Sequence, residues 1–176
     1  MPPDVSYKKS LGAALFITLV ITFLVYRPCL NNELLQWDDK VYLADNFTIH
    51  NLNFSTLKTI FTSNVIGNHI HDYQPLTMLS FALEYHFFHL NPKIYHATNL
   101  TLHLFNTALV LVFIFLLYQR IEGAWIVALL FAVHPMQVET VAWVSARKDL
   151  LSTFFYLGCL IFYCLWWMTR SRQAPL

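Results

Sequence analysis

Four apolar runs, each close to the length of a bilayer-crossing helix, constrain this chain more than any other feature. A spanning helix needs ~20 mostly apolar residues. The runs fall at about 11–26 ("LGAALFITLVITFLVY"), 98–118, 122–134 and 148–169. They leave little charge elsewhere: of 176 residues, 57% are hydrophobic and only 12% charged, against about 25% charged in a soluble domain. The mean hydropathy is +0.48. The expected fold is an all-α membrane protein, with four transmembrane helices and short interfacial helices in a long first outer loop, 27–97.

The first run follows Lys8 and Lys9, as a signal peptide would. The "YRPCLNN" after it puts bulky residues where a cleavage site needs small ones. Arg27 and Pro28 also make Cys29 a poor lipoprotein cysteine, so an uncleaved helix is expected. Pro135 stops or kinks the third run, because proline removes a helix donor. Trp166 and Trp167 stand where an interfacial aromatic belt belongs, before Arg170 and Arg172. If the spans alternate, Lys8, Lys9, Arg120, Arg170 and Arg172 share one side, which the positive-inside rule makes cytoplasmic. Both termini are then cytoplasmic. Loop 27–97 and the segment 134–149 face outside, in the periplasm or the lumen of the endoplasmic reticulum. Arg147 and Lys148 run against that rule.

Loops as long as 27–97 are uncommon without a function. "NFSTLKTIF" offers Ser55 as the N-cap of a short helix. "YQPLTMLSFALEYHFFHL" places Pro75 in a first turn, followed by Leu76, Leu79, Leu83 and Phe87 at helical spacing. Glu84, His86 and His89 interrupt it, so it reads as an interfacial helix. The net charge of +1 offers no basic stripe for nucleic acid. Cys29, Cys159 and Cys164 are too few and scattered for a disulfide framework or a zinc site.

Ionisable groups against a membrane are costly and therefore functional candidates. Those on the outer face are Asp38, Asp39, Asp72, Glu84, Glu139, Arg147, Lys148 and Asp149. "WDDKVY" reads either as a hydrated turn anchored by Trp37 and Tyr42, or as a general base or metal-binding pair. Repulsion between adjacent carboxylates makes one a better proton acceptor. In "HPMQVETVAWVSARKDLL" Ser145 can cap the fourth span. Arg147 and Lys148 then occupy its first turn, where the helix dipole disfavours cations unless an anion binds. They serve a phosphate or pyrophosphate, or they pair with Asp149, Glu139 or lipid phosphates. His69 with Asp72, and His86 with His89, offer a weaker metal option. Asn99, His103 and Asn106 form a polar stripe that suits helix-to-helix hydrogen bonds or the lining of a substrate site. "NFT" at 46–48, "NFS" at 53–55 and "NLT" at 99–101 match the N-glycosylation acceptor pattern.

"YQPLT", "NLTLHLFN", "HPMQVE" and "ARKDLL", in that order, resemble the membrane region of the transmembrane-and-TPR-containing glycosyltransferases. These are GT-C superfamily relatives of the protein O-mannosyltransferases. The resemblance runs from about Trp37 to about Leu160. It implies transfer of a sugar from a polyprenyl-phosphate donor to a hydroxyl of an acceptor protein or other compound, on the outer membrane face. By analogy with the Asp-Glu pair of O-mannosyltransferases, it implies Asp38 as catalytic base with Asp39 as its support. It puts Arg147 and Lys148 at the donor phosphate, with Glu139, Asp149, Tyr73, Gln74, His134 and His103 in supporting roles. No cofactor is assigned firmly, and a divalent cation is the one candidate. Gln74 stands where family members carry arginine or glutamine, so a charge there is not implied.

The family has at least about twice as many spans, followed by TPR repeats, and this sequence contains no 34-residue repeat of that kind. Residues 1–176 therefore read as the N-terminal portion of a GT-C-type membrane domain. That implies a fragment, or one half of a split enzyme whose partner is the missing half or a TPR domain. The alternative is a non-catalytic membrane subunit or scaffold that retains the fold. A small transporter using the polar stripe is a third and weaker reading.

Overall fold

The computed structural model describes residues 5–62 and 73–173. Among them are seven α-helices and no strand. The helices are α1 (Val5–Tyr26), α2 (Phe54–Thr62), α3 (Pro75–Phe88), α4 (Pro92–Tyr118), α5 (Ile121–Val133), α6 (Gln137–Ala142) and α7 (Arg147–Gln173). Short turns fill the gaps: 3₁₀ at Arg27–Asn31 and Val144–Ala146, and a π-turn at Lys40–Ala44. The all-α membrane architecture expected from the apolar runs is present. Three segments, Lys9–Asn31, Pro92–Tyr118 and Val144–Ser171, are long and apolar enough to cross a bilayer. The third apolar run is shorter, Ile121–Val133, because the chain turns extended at His134 before Pro135.

The chain divides into two compact units. The first comprises residues 1–25, 101–137 and 152–176. Here α1, α4, α5 and α7 meet in one cluster, with Ala14, Val110, Leu111, Ala128 and Leu157 at its centre. Ala124, Ala128 and Ala132 recur every four residues along α5 and are fully buried. Side chains that small let neighbouring backbones approach closely, the usual way helices associate in lipid. Buried Thr18 and Thr22 donate to the carbonyls of Ala14 (2.8 Å) and Thr18 (2.7 Å), so their hydroxyls cost little in apolar surroundings. Phe16, Leu24, Ile126, Leu130, Phe162 and Trp167 point outward, a surface suited to hydrocarbon rather than water.

The second unit comprises residues 26–100 and 138–151. Its core gathers Tyr42, Leu43, Ile49, Ile60, Met78, Phe81, Ala82, Tyr95 and Val144. The π-turn closes with the Asp45 N–H on the Lys40 carbonyl at 2.9 Å and swings Tyr42 and Leu43 inward. The cap of α2 is Asn53, whose Oδ1 accepts from the Thr56 N–H at 2.9 Å. Ser55, expected as the cap, lies inside the helix instead. Asparagine two positions earlier completes the same capping geometry, and the helix starts at Phe54.

Pro75 opens α3 as expected. Its buried side is Thr77, Met78, Phe81, Ala82 and Glu84, while Leu76, Leu83 and Phe87 are exposed. The expected apolar stripe thus faces outward. A helix apolar on nearly all sides is oriented by its one charge, Glu84, not by its leucines. At its end His89 adopts φ 52°, ψ −142°, a region that suits glycine. The Tyr95 hydroxyl holds that turn by donating to the His89 carbonyl at 2.9 Å.

Candidate functional site

The adjacent aspartates diverge. Asp39 is 1% exposed. Its Oδ2 accepts from the Leu35 N–H at 3.0 Å. Its Oδ1 accepts from the Ser145 N–H at 2.9 Å and from the Ser145 hydroxyl. One carboxylate therefore ties the segment before the π-turn to the turn before α7, positions 106 residues apart. Charge-assisted bonds of this kind are about twice as strong as neutral ones. Asp38 is half-buried and open to a cavity of about 70 Å³. Tyr42, Glu139, Thr140, Trp143, Ser145, Lys148 and Asp149 also line it. A cavity of that size admits several waters, or one compact anionic group. Carboxylates, an ammonium and a phenol thus face the same small volume.

Arg147 does not join them. Its guanidinium is 0% exposed. Nε donates to Asn99 Oδ1 at 2.8 Å, Nη1 to Ser80 Oγ at 3.1 Å and to Glu84 Oε2 at 2.5 Å, and Nη2 to the Tyr95 carbonyl at 2.9 Å. The Phe81 ring lies 4.5 Å below it. Arg147 and Lys148, paired in the sequence reading as phosphate ligands, are separated here. Successive residues point ~100° apart around a helix, so the first turn of α7 sends the arginine inward. Lys148 and Asp149 go to the cavity, and both are exposed on their other side. Glu139 reaches it from the first turn of α6.

Comparison with known proteins decides the relationship. Protein O-mannosyl-transferase TMTC3 of Mus musculus is 31% identical over 169 residues, 91% of this chain. Its Homo sapiens counterpart is 33% identical over 165 residues, 89% of the chain. Protein O-mannosyl-transferase TMTC2 of Homo sapiens is 36% identical over 110 residues, 61% of the chain. The chain is an O-mannosyltransferase-like member of the TMTC family. It spans 17% of the length of either TMTC3 protein and 13% of TMTC2. No protein-family model and no solved structure matches it.

The remaining candidates of this TMTC-family chain fall elsewhere. Tyr73 is exposed and donates to the Phe61 carbonyl at 2.9 Å. Gln74 Nε2 donates to the Tyr42 hydroxyl at 3.4 Å, which places it behind one wall of the cavity. His103 and His134 belong to the first unit. His103 Nε2 lies 2.9 Å from the Ala132 carbonyl, a helix-to-helix contact of the kind a polar stripe suits. Exposed His134 accepts from the Met136 N–H at 3.2 Å. His69 and Asp72 lie outside the described residues. His86 and His89 are exposed, and among the described residues no three His, Cys, Asp or Glu side chains cluster as metal ligands.

Sequence reasoning missed Ser80, Tyr95 and Trp143, and it gave Glu84 and Asn99 no role around Arg147. A lone carboxylate inside an apolar helix was the available signal, because it demands a buried cation. Arg147, at a helix start that disfavours it, was the matching anomaly.

Proposed function

We propose that this chain forms the acid–base and phosphate-facing wall of a membrane glycosyltransferase. The reaction is transfer of mannose from a polyprenyl-phosphate to a protein hydroxyl on the outer face of the membrane. The observation that carries this reading is the single cavity shared by Asp38, Glu139, Lys148 and Asp149. The relatives, named as protein O-mannosyl-transferases, suggest the sugar and the acceptor class.

In the proposed step Asp38 takes the proton from the acceptor hydroxyl as its oxygen attacks the anomeric carbon. The bond from that carbon to phosphate breaks, and its electron pair leaves on the phosphate. Lys148, beside the N-terminus of the 27-residue α7, meets the growing negative charge with its ammonium and the helix dipole. Asp39 supports Asp38 by fixing the loop that carries it. Arg147 positions Lys148 from behind. Residues 27–97 and 134–149 face outside, and both termini face the cytoplasm.

The test reconstitutes the chain in vesicles with radiolabelled polyprenyl-phosphate-mannose and a Ser/Thr-rich peptide. A positioned general base contributes about 10²–10⁴-fold, so Asp38→Asn is expected to cut transfer by that range while donor retention on the vesicle-bound protein stays unchanged. Transfer at the wild-type rate by Asp38→Asn removes Asp38 as base. Donor retention without transfer by any form, wild type included, favours a non-catalytic subunit.

A further inference from the structure

Three sequons occur in the chain, and the fold treats their asparagines very differently. Asn46 is 2% exposed, and its Nδ2 points at Met78 Sδ, 3.5 Å away in the core. Asn99 is 0% exposed. Its Nδ2 donates to the Trp143 carbonyl at 2.9 Å, while its Oδ1 accepts from Arg147. A glycan on either nitrogen has no room, and on Asn99 it also breaks the bonds that hold the buried cation. Asn53 is exposed, as is Ser55, and Phe54 between them is 84% exposed. The fold uses the oxygen of Asn53, not its nitrogen: Oδ1 caps α2 through the Thr56 N–H. Carbohydrate on Nδ2 leaves that cap intact.

We infer that Asn53, in Asn53-Phe54-Ser55, is an N-glycosylation site, and that Asn46 and Asn99 are left unmodified. The co-substrate is a lipid-diphosphate-linked oligosaccharide, used by an oligosaccharyl transferase of the host membrane. Asn53 Nδ2 forms a bond to the anomeric carbon of the first sugar. The bond from that carbon to the diphosphate oxygen breaks, its electron pair departs with the diphosphate, and the amide nitrogen gives up one proton. The inference rests on the proposed outside placement of residues 27–97.

The experiment expresses the whole chain in cells that carry this machinery and reads its mobility before and after endoglycosidase. One glycan's step is expected, abolished by Asn53→Asp and by Ser55→Ala. Asn53→Asp keeps an N-cap oxygen and Ser55→Ala keeps Asn53 itself, so loss of the step does not reflect loss of the helix. Thr48→Ala and Thr101→Ala are expected to retain it. A step that disappears with Thr48→Ala or Thr101→Ala overturns the assignment. A second arm places Lys58→Cys, with Cys29, Cys159 and Cys164 changed to Ala, and labels it with an impermeant maleimide from either side of the membrane. Absence of the step with luminal labelling overturns the site alone. Absence with cytosolic labelling overturns the site and the proposed topology together.

Discussion

Removing the carboxylate of Glu84 is expected to damage this protein more than removing any carboxylate at the cavity. Arg147 has no exposed surface, and the side chain of Glu84 is 10% exposed. In Glu84→Ala the guanidinium keeps Asn99, Ser80, the Tyr95 carbonyl and the Phe81 face, but it loses the carboxylate in contact with it, and only the more distant charge of Asp39 remains. Breaking a buried pair from one side costs about 3–5 kcal/mol. The Phe81 ring contributes ~2 kcal/mol or more in a desolvated setting, but it already does so before the mutation, so it offsets none of the difference. Ser80 and Glu84 sit on α3, Tyr95 and Asn99 on α4, and Arg147 opens α7, so the loss loosens three elements at once. Denaturant unfolding in detergent micelles, followed by tryptophan fluorescence, reads the change directly. The double mutant Glu84→Ala with Arg147→Met is expected to cost less than the sum of the singles, with coupling of roughly 1–3 kcal/mol. If Glu84→Ala unfolds within about 0.5 kcal/mol of the exposed control Lys93→Ala, the range for surface changes, the buried cation is not held as argued.

In the same assay Asp39→Asn is expected to cost roughly 1–3 kcal/mol, since an amide cannot accept from Leu35 and from both Ser145 donors as a carboxylate does. Asp38→Asn is expected to stay within about 0.5 kcal/mol of wild type, and equal losses from the two would contradict their separate roles. His89→Gly relieves a left-handed φ at the end of α3 and is expected to gain about 1 kcal/mol, despite losing the edge contact with Tyr85; destabilisation would show that this contact outweighs the strain. Asn53→Ala is expected to cost ~1 kcal/mol through the lost cap, whereas Asn53→Asp, an equivalent cap, is expected to cost little. Lys148→Met is expected to weaken retention of polyprenyl-phosphate-mannose on vesicles most at low salt, because exposed charges are screened; a loss independent of salt would argue against a charge contact.

Much of this architecture was legible because the apolar runs are long. Length and composition alone locate α1, α4 and α7, and Pro135 marks the end of α5. Side-chain direction was the hidden part. In α3 the helical spacing of Leu76, Leu79, Leu83 and Phe87 pointed to the wrong face, because nearly every residue is apolar, and burial of Glu84 against Arg147 selected the side opposite to Leu76 and Leu83. In α2 the sequence pointed to Ser55 as the cap, and only the folded backbone gives that place to Asn53, two residues earlier. The acid pair and the cationic helix start were visible as anomalies. Which member of each pair turns inward was not, because that depends on partners such as Asn99 and Ser145, far away in sequence.

The two anomalies resolve in the same way. At 38–39 and again at 147–148, two like charges stand side by side where a single one would be easier to accommodate. In each pair one member is buried and fully engaged, Asp39 by Leu35 and Ser145, Arg147 by Glu84, Asn99, Ser80 and Tyr95. Its neighbour, Asp38 or Lys148, faces the cavity. The buried charge fixes the backbone within one residue of the open one, and a charge so fixed loses less conformational freedom when it meets a ligand. Ser145 links the two halves: it donates to Asp39 and lies two residues before Arg147, so the anchor of the carboxylate loop is also the start of the cationic helix. This arrangement makes the order of sensitivities specific. Substitutions at Asp39 and Arg147 should lower stability and transfer together, whereas those at Asp38 and Lys148 should lower transfer alone. A variant of Asp38 that loses stability in step with activity would place it with the anchors rather than with the chemistry.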